Sequence, residues 1–115
     1  MDQGTALLAS IGVEAAFAAG VLGLSGWGRP LLGIAAAATG TLITHPLVWW
    51  ALPEIELWTS YWTAFAIVEA AVVVIETFAY RLILPLKWPR AFVLSFVANA
   101  ASAGAGMLVY YFAGL

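Results

Sequence analysis

The chain contains no cysteine. That excludes a disulfide framework, thiolate catalysis and a thiolate metal site, and it leaves the compartment open. Charge is scarce: four Lys or Arg and six Asp or Glu stand among 115 residues, 9% in all. A soluble domain averages roughly 25% charged residues, so this chain cannot cover a water-facing surface. No basic run is present, which excludes nucleic acid as a partner class. There is one histidine, with no HExxH, no ExxH and no phosphate-cradling glycine loop. No nucleophile motif is present either. Period-two alternation is missing, so membrane-spanning strands are not expected.

What remains is apolar: 64% of residues are hydrophobic, with mean hydropathy +1.01. The composition places the chain in the membrane class. Four apolar runs are separated by Gly, Pro and charged clusters: Thr5–Leu24, Leu31–Leu52, Tyr61–Leu84 and Ala91–Gly114. Each is long enough as a helix to cross a ~30 Å hydrocarbon layer at ~1.5 Å per residue. The expected fold is all-α, a single polytopic domain built as a four-transmembrane-helix bundle. The first run is read as a mature helix rather than a signal peptide, because no Lys or Arg precedes it and Glu14 interrupts it.

The basic residues set the expected orientation. Arg29 lies in the first link, and Arg81, Lys87 and Arg90 flank the third. The termini and the second link carry no Lys or Arg. The positive-inside rule then places links one and three in the cytoplasm and both termini outside. Glu54 and Glu56 are read as solvated charges in an acidic, outward second loop. The aromatics fit two interfacial belts. Trp27, Trp88 and Tyr80 form the inner one; Trp49, Trp50, Trp58, Trp62, Tyr61, Tyr110 and Tyr111 form the outer one.

Against this apolar background the polar residues stand out. Glu14, Glu69 and Glu76 fall inside spans, as do His45 and Asn99. A charged side chain at a helix centre costs roughly 2.5–3.5 kcal/mol even on insertion scales, so intramembrane carboxylates mark candidate sites. Counting along the helices, to about one turn, puts Glu14, His45 and Glu69 in one layer and Glu76 with Asn99 in a deeper one, so the two layers can merge. Glu69 and Glu76 share a stripe of the third helix. Thr41, Thr44 and His45 share a side of the second, and Ser95, Asn99, Ser102 and Gly106 a side of the fourth. The candidate ligand- or ion-binding set is therefore Glu14, Thr41, Thr44, His45, Glu69, Glu76, Asn99 and Ser102. The alternative for the acids is a structural role, each protonated and bonded to a Ser, Thr or Asn. Pro46 frees the carbonyl of Leu42. It either opens the backbone beside His45, as broken transporter helices do, or simply bends the helix. Glu14, His45 and Glu69 also have the ligand chemistry for a divalent metal, although their spacing is not diagnostic, and no cofactor can be assigned.

The strings Thr44-His45-Pro46 with Trp49, Val68-Glu69 with Glu76 and Tyr80, and Ser95 with Asn99 and Ser102 resemble a pattern of small bacterial four-helix membrane proteins. That resemblance covers the second to fourth helices and implies the topology, with no activity attached. Glu14 is similar to the first-helix glutamate of small multidrug transporters, but their third-helix pattern is missing here. His45 and Trp49 are spaced as in light-harvesting polypeptides, which are single-span chains and lack a proline at the position of Pro46. Pro53-Glu54-Ile55-Glu56 partly resembles the heterodimeric lycopene cyclases.

Three functions remain in view. The foremost is proton- or cation-coupled transport, or channel-like activity, by a homo-oligomer in a bacterial inner membrane, because four helices leave little room for a private pathway. The second is an accessory subunit of a larger respiratory or photosynthetic complex. The third is a small enzyme doing acid–base chemistry on a lipid or isoprenoid. The missing motifs place an enzyme last.

Overall fold

A computed structural model describes residues 2–113 and shows four helices: α1 (Gln3–Ser25), α2 (Pro30–Glu56), α3 (Tyr61–Ile83) and α4 (Trp88–Ala113). All four are long and apolar enough to cross a membrane. The long axis of the bundle measures 41 Å, sufficient for a ~30 Å hydrocarbon core. The protein is an all-helical integral membrane protein.

Local chemistry sets the helix ends. The Asp2 carboxylate caps α1 by accepting from the Thr5 amide at 2.7 Å. Gly26 closes α1 in the left-handed region, φ 71°, where only glycine is unstrained, and its N–H reaches the Leu22 carbonyl at 3.0 Å. Pro30 begins α2, where its missing N–H costs nothing. Ser60 caps α3 by accepting from the Thr63 amide at 3.3 Å.

Three sequence expectations need correction. α2 does not stop before Pro53 but continues to Glu56, so Glu54 and Glu56 belong to its last turn and not to a loop. A proline there forfeits one hydrogen bond near an end that frays anyway. α4 starts at Trp88, with Pro89 in its first turn, earlier than the expected Ala91. Its expected end at Gly114 lies outside the described residues. Tyr80 is not in a belt; it is fully buried. The other belt aromatics fare differently: Trp49, Trp50, Trp58, Trp62, Trp88, Tyr61, Tyr110 and Tyr111 are exposed.

Short links make successive helices antiparallel. The packed neighbours are α1 with α2, α2 with α3, α3 with α4 and α4 with α1. α1 and α3 are therefore diagonal across the bundle axis. At the end that carries links one and three, Leu22, Tyr80, Leu84, Leu86 and Leu94 pack with Ala18, Ala36, Ala37 and Ala91 in one cluster. Small residues matter there because apolar side chains gain little by leaving lipid; close packing must supply the stability. Gly33 illustrates it, since a Cβ at that position would collide with Leu22. Arg90 lies over the Trp27 ring at 5.1 Å and Arg81 over Trp88 at 5.5 Å, clasping the same end. At the opposite end α3 and α4 part around an apolar groove of about 780 Å³ beside Tyr61, Trp62, Met107 and Tyr110. The bundle is thus closed at one end and splayed at the other.

Candidate intramembrane polar site

Midway along the bundle the apolar core gives way to polar side chains. Glu14 and Glu76 are 2% and 1% exposed. Each is held by a threonine of α2: Thr41 donates to Glu14 Oε2 at 2.7 Å and Thr44 donates to Glu76 Oε2 at 2.9 Å. The two threonines lie three residues apart, on one side of α2, so one helix serves both carboxyls. Glu14 comes from α1 and Glu76 from α3, the diagonal pair, and their carboxyl groups are near enough to act on each other's charge. The second oxygen of each, Oε1, is buried without a hydrogen-bond partner among the described residues.

Gly40 makes this approach feasible. It faces Glu76, and a Cβ there would lie 3.0 Å from Glu76 Cγ and 3.4 Å from Oε1. On the α4 side, Asn99 lies beside Glu76 and donates from Nδ2 to the Ser95 carbonyl at 2.9 Å. The Ser95 hydroxyl ties α4 to α3 by donating to the Val73 carbonyl at 2.8 Å, and Thr77 donates to the same carbonyl at 2.6 Å. The carboxyls are therefore backed by residues from all four helices.

A cavity of about 140 Å³ adjoins the pair. Glu14, Thr41, Thr44 and Glu76 line it, and so do His45, Glu69, Asn99 and Ser102. The structure thus brings all eight candidate residues to one cavity, and the two expected layers form one. Glu69 is half-buried and has no hydrogen-bond partner among the described residues. His45 is also half-buried; among the described residues its Nε2 has no hydrogen-bond partner, and its ring sits 6.0 Å from that of Trp49.

The metal set Glu14, His45 and Glu69 is not assembled. Among the described residues no three His, Asp or Glu side chains converge as a ligand group, because Glu14 turns across the axis to Glu76. Pro46 and Leu42 are both exposed on the outside of α2. The interrupted hydrogen bond therefore lies on the lipid-facing side, which supports the bend and not an opening toward the cavity. Gly40 and Thr77 were not among the candidates. Gly40 had a legible signal, since it precedes Thr44 by one turn on the same face as Gly33 and Ala37.

Two carboxyls facing each other in a buried site cannot both stay bare without strong repulsion. A proton shared between them, or a small cation clamped by them, removes that repulsion and supplies a partner for the buried oxygens. The threonine hydroxyls hold the geometry without adding charge. Comparison with family models, with curated proteins and with solved structures finds no match to this chain.

Proposed function

We propose that the protein is a proton- or cation-coupled transporter or channel of the bacterial inner membrane, working as an oligomer, with links one and three in the cytoplasm. The observation that carries this reading is the meeting of Glu14 and Glu76 from diagonal helices, each with one oxygen partnerless in the middle of the membrane span. A purely structural bond between helices needs one acid and one donor. A second acid opposite the first adds repulsion that a bound proton or cation relieves, and a site that holds such a charge next to a cavity is suited to exchanging it. The positive-inside distribution of Arg29, Arg81, Lys87 and Arg90 supports the orientation. In that orientation the closed end is cytoplasmic and the splayed end faces outward. A cavity of about 140 Å³ holds only a few waters' worth of space, so a pathway across the membrane calls for a second copy.

The test is proton flux into proteoliposomes that contain a pH-sensitive dye, under an imposed pH gradient. Wild-type protein should exceed empty liposomes. Glu14→Gln, Glu69→Gln and Glu76→Gln should each lower the rate at least tenfold. Wild-type flux in Glu69→Gln and Glu76→Gln, or purification with other subunits at fixed stoichiometry and no flux alone, would favour an accessory subunit.

A further inference from the structure

A second groove, of about 470 Å³, runs along the outer face of α3 and α4. Its walls include Phe65, Phe92 and Phe96, and Glu69, Asn99 and Ala103 lie along it. The last three residues also line the polar cavity. These three residues thus stand between the lipid-facing groove and the interior site, and Glu69 borders both.

We propose that this groove binds a lipophilic cation, an amine or onium ion with an apolar body, which enters sideways from the bilayer with its charge at Glu69. The volume falls in the range of small-molecule sites, roughly 300–1,000 Å³, and the lining has the usual make-up of apolar walls with few polar groups. Among the described residues Glu69 is the only charged one lining it, and its carboxylate has no hydrogen-bond donor there. A cation meets that need, and the phenylalanine faces favour it further. A second copy of this chain is the poorer occupant. Two-fold pairing on this face would set Glu69 against Glu69, and none of the four basic residues lines the groove to relieve them. An anion or a neutral lipid leaves the carboxylate unmatched.

This proposal names a substrate class for the transport reading and rests on that reading only for passage onward from Glu69. Binding is tested separately, with protein in nanodiscs and tetraphenylphosphonium as probe; tetraphenylborate, of the same shape and opposite charge, is the control. Expected is saturable binding of the cation alone, unchanged within about threefold in Gly20→Ala, whose added methyl meets nothing within 4 Å, and weakened at least tenfold in Glu69→Gln. Ala70→Trp should weaken it equally, because Ala70 lines the groove from an exposed position and its replacement leaves the Glu14–Glu76 pair untouched. That variant keeps the test decisive if Glu69→Gln folds poorly. No saturable binding by wild type, equal binding of tetraphenylborate, or unaltered binding in Ala70→Trp overturns the proposal. Cation binding without flux of protons or of the bound cation would sink the transport reading and leave the groove assignment standing.

Discussion

At the scale of single residues, the site depends on small and hydroxylic side chains of α2 as much as on the acids. Gly40 gives Glu76 room, and Thr41 and Thr44 steer one oxygen of each carboxyl. Interhelical hydrogen bonds in membranes are worth about 0.6 kcal/mol on average, so the threonines position the carboxyls more than they stabilise the fold. Gly40→Ala should displace Glu76, because the new methyl would sit 3.0 Å from its Cγ. Gly20→Ala meets nothing within 4 Å and is the control; it should be neutral or gain up to about 1 kcal/mol from helix propensity. Proton flux in proteoliposomes and thermal stability in detergent check both. Gly40→Ala is expected to lose flux and stability together, and Gly20→Ala neither. The acids were legible in the sequence because carboxylates in apolar runs are conspicuous. The pairing of Glu14 with Glu76 instead of Glu69 was not. Glu69 and Glu76 stand on one stripe of α3, so the choice depends on how far α1 and α3 are offset along the bundle axis, by about two turns, which no local motif encodes.

At the scale of helices, spans and partings were readable from hydropathy and from Gly–Pro punctuation. The errors fell at Pro53 and Pro89. A proline says that one hydrogen bond is missing, and an end turn tolerates that loss, so it did not mark either boundary correctly. Tyr80 was misplaced for a related reason. Its distance from the helix end fits a belt, but its azimuth turns it into the core. The caps, by contrast, carry their own chemistry. The Thr5 amide and hydroxyl hold the Asp2 carboxylate below its ordinary value of 3.8. Because the folded value is depressed, the cap contributes at and above the ordinary value and is lost as pH falls through the folded one. Amide exchange in the first turn of α1, taken relative to the unstructured-peptide rate at each pH, should therefore speed up on acidification below about pH 4 in wild type. In Asp2→Ala it should already be fast at neutral pH, with no further step of this kind. An identical pH profile in both proteins would rule the cap out.

At the scale of the whole molecule, the bundle joins a close-packed end to a splayed one, with the polar site between them. Leu22, Tyr80 and Leu94 seal one side, while Tyr61, Trp62 and Tyr110 stand apart on the other. The central proposition is that Glu14 and Glu76 act as one proton- or cation-holding unit and not as two separate acids. A double-mutant cycle read by infrared spectroscopy of the carboxyl bands, in lipid and across pH, addresses it most directly. If the pair acts as a unit, Glu14→Gln and Glu76→Gln will each alter the signal of the remaining carboxyl, and the single changes will not sum to that of the double variant. Strictly additive changes, with each carboxyl titrating as though the other were absent, would contradict it.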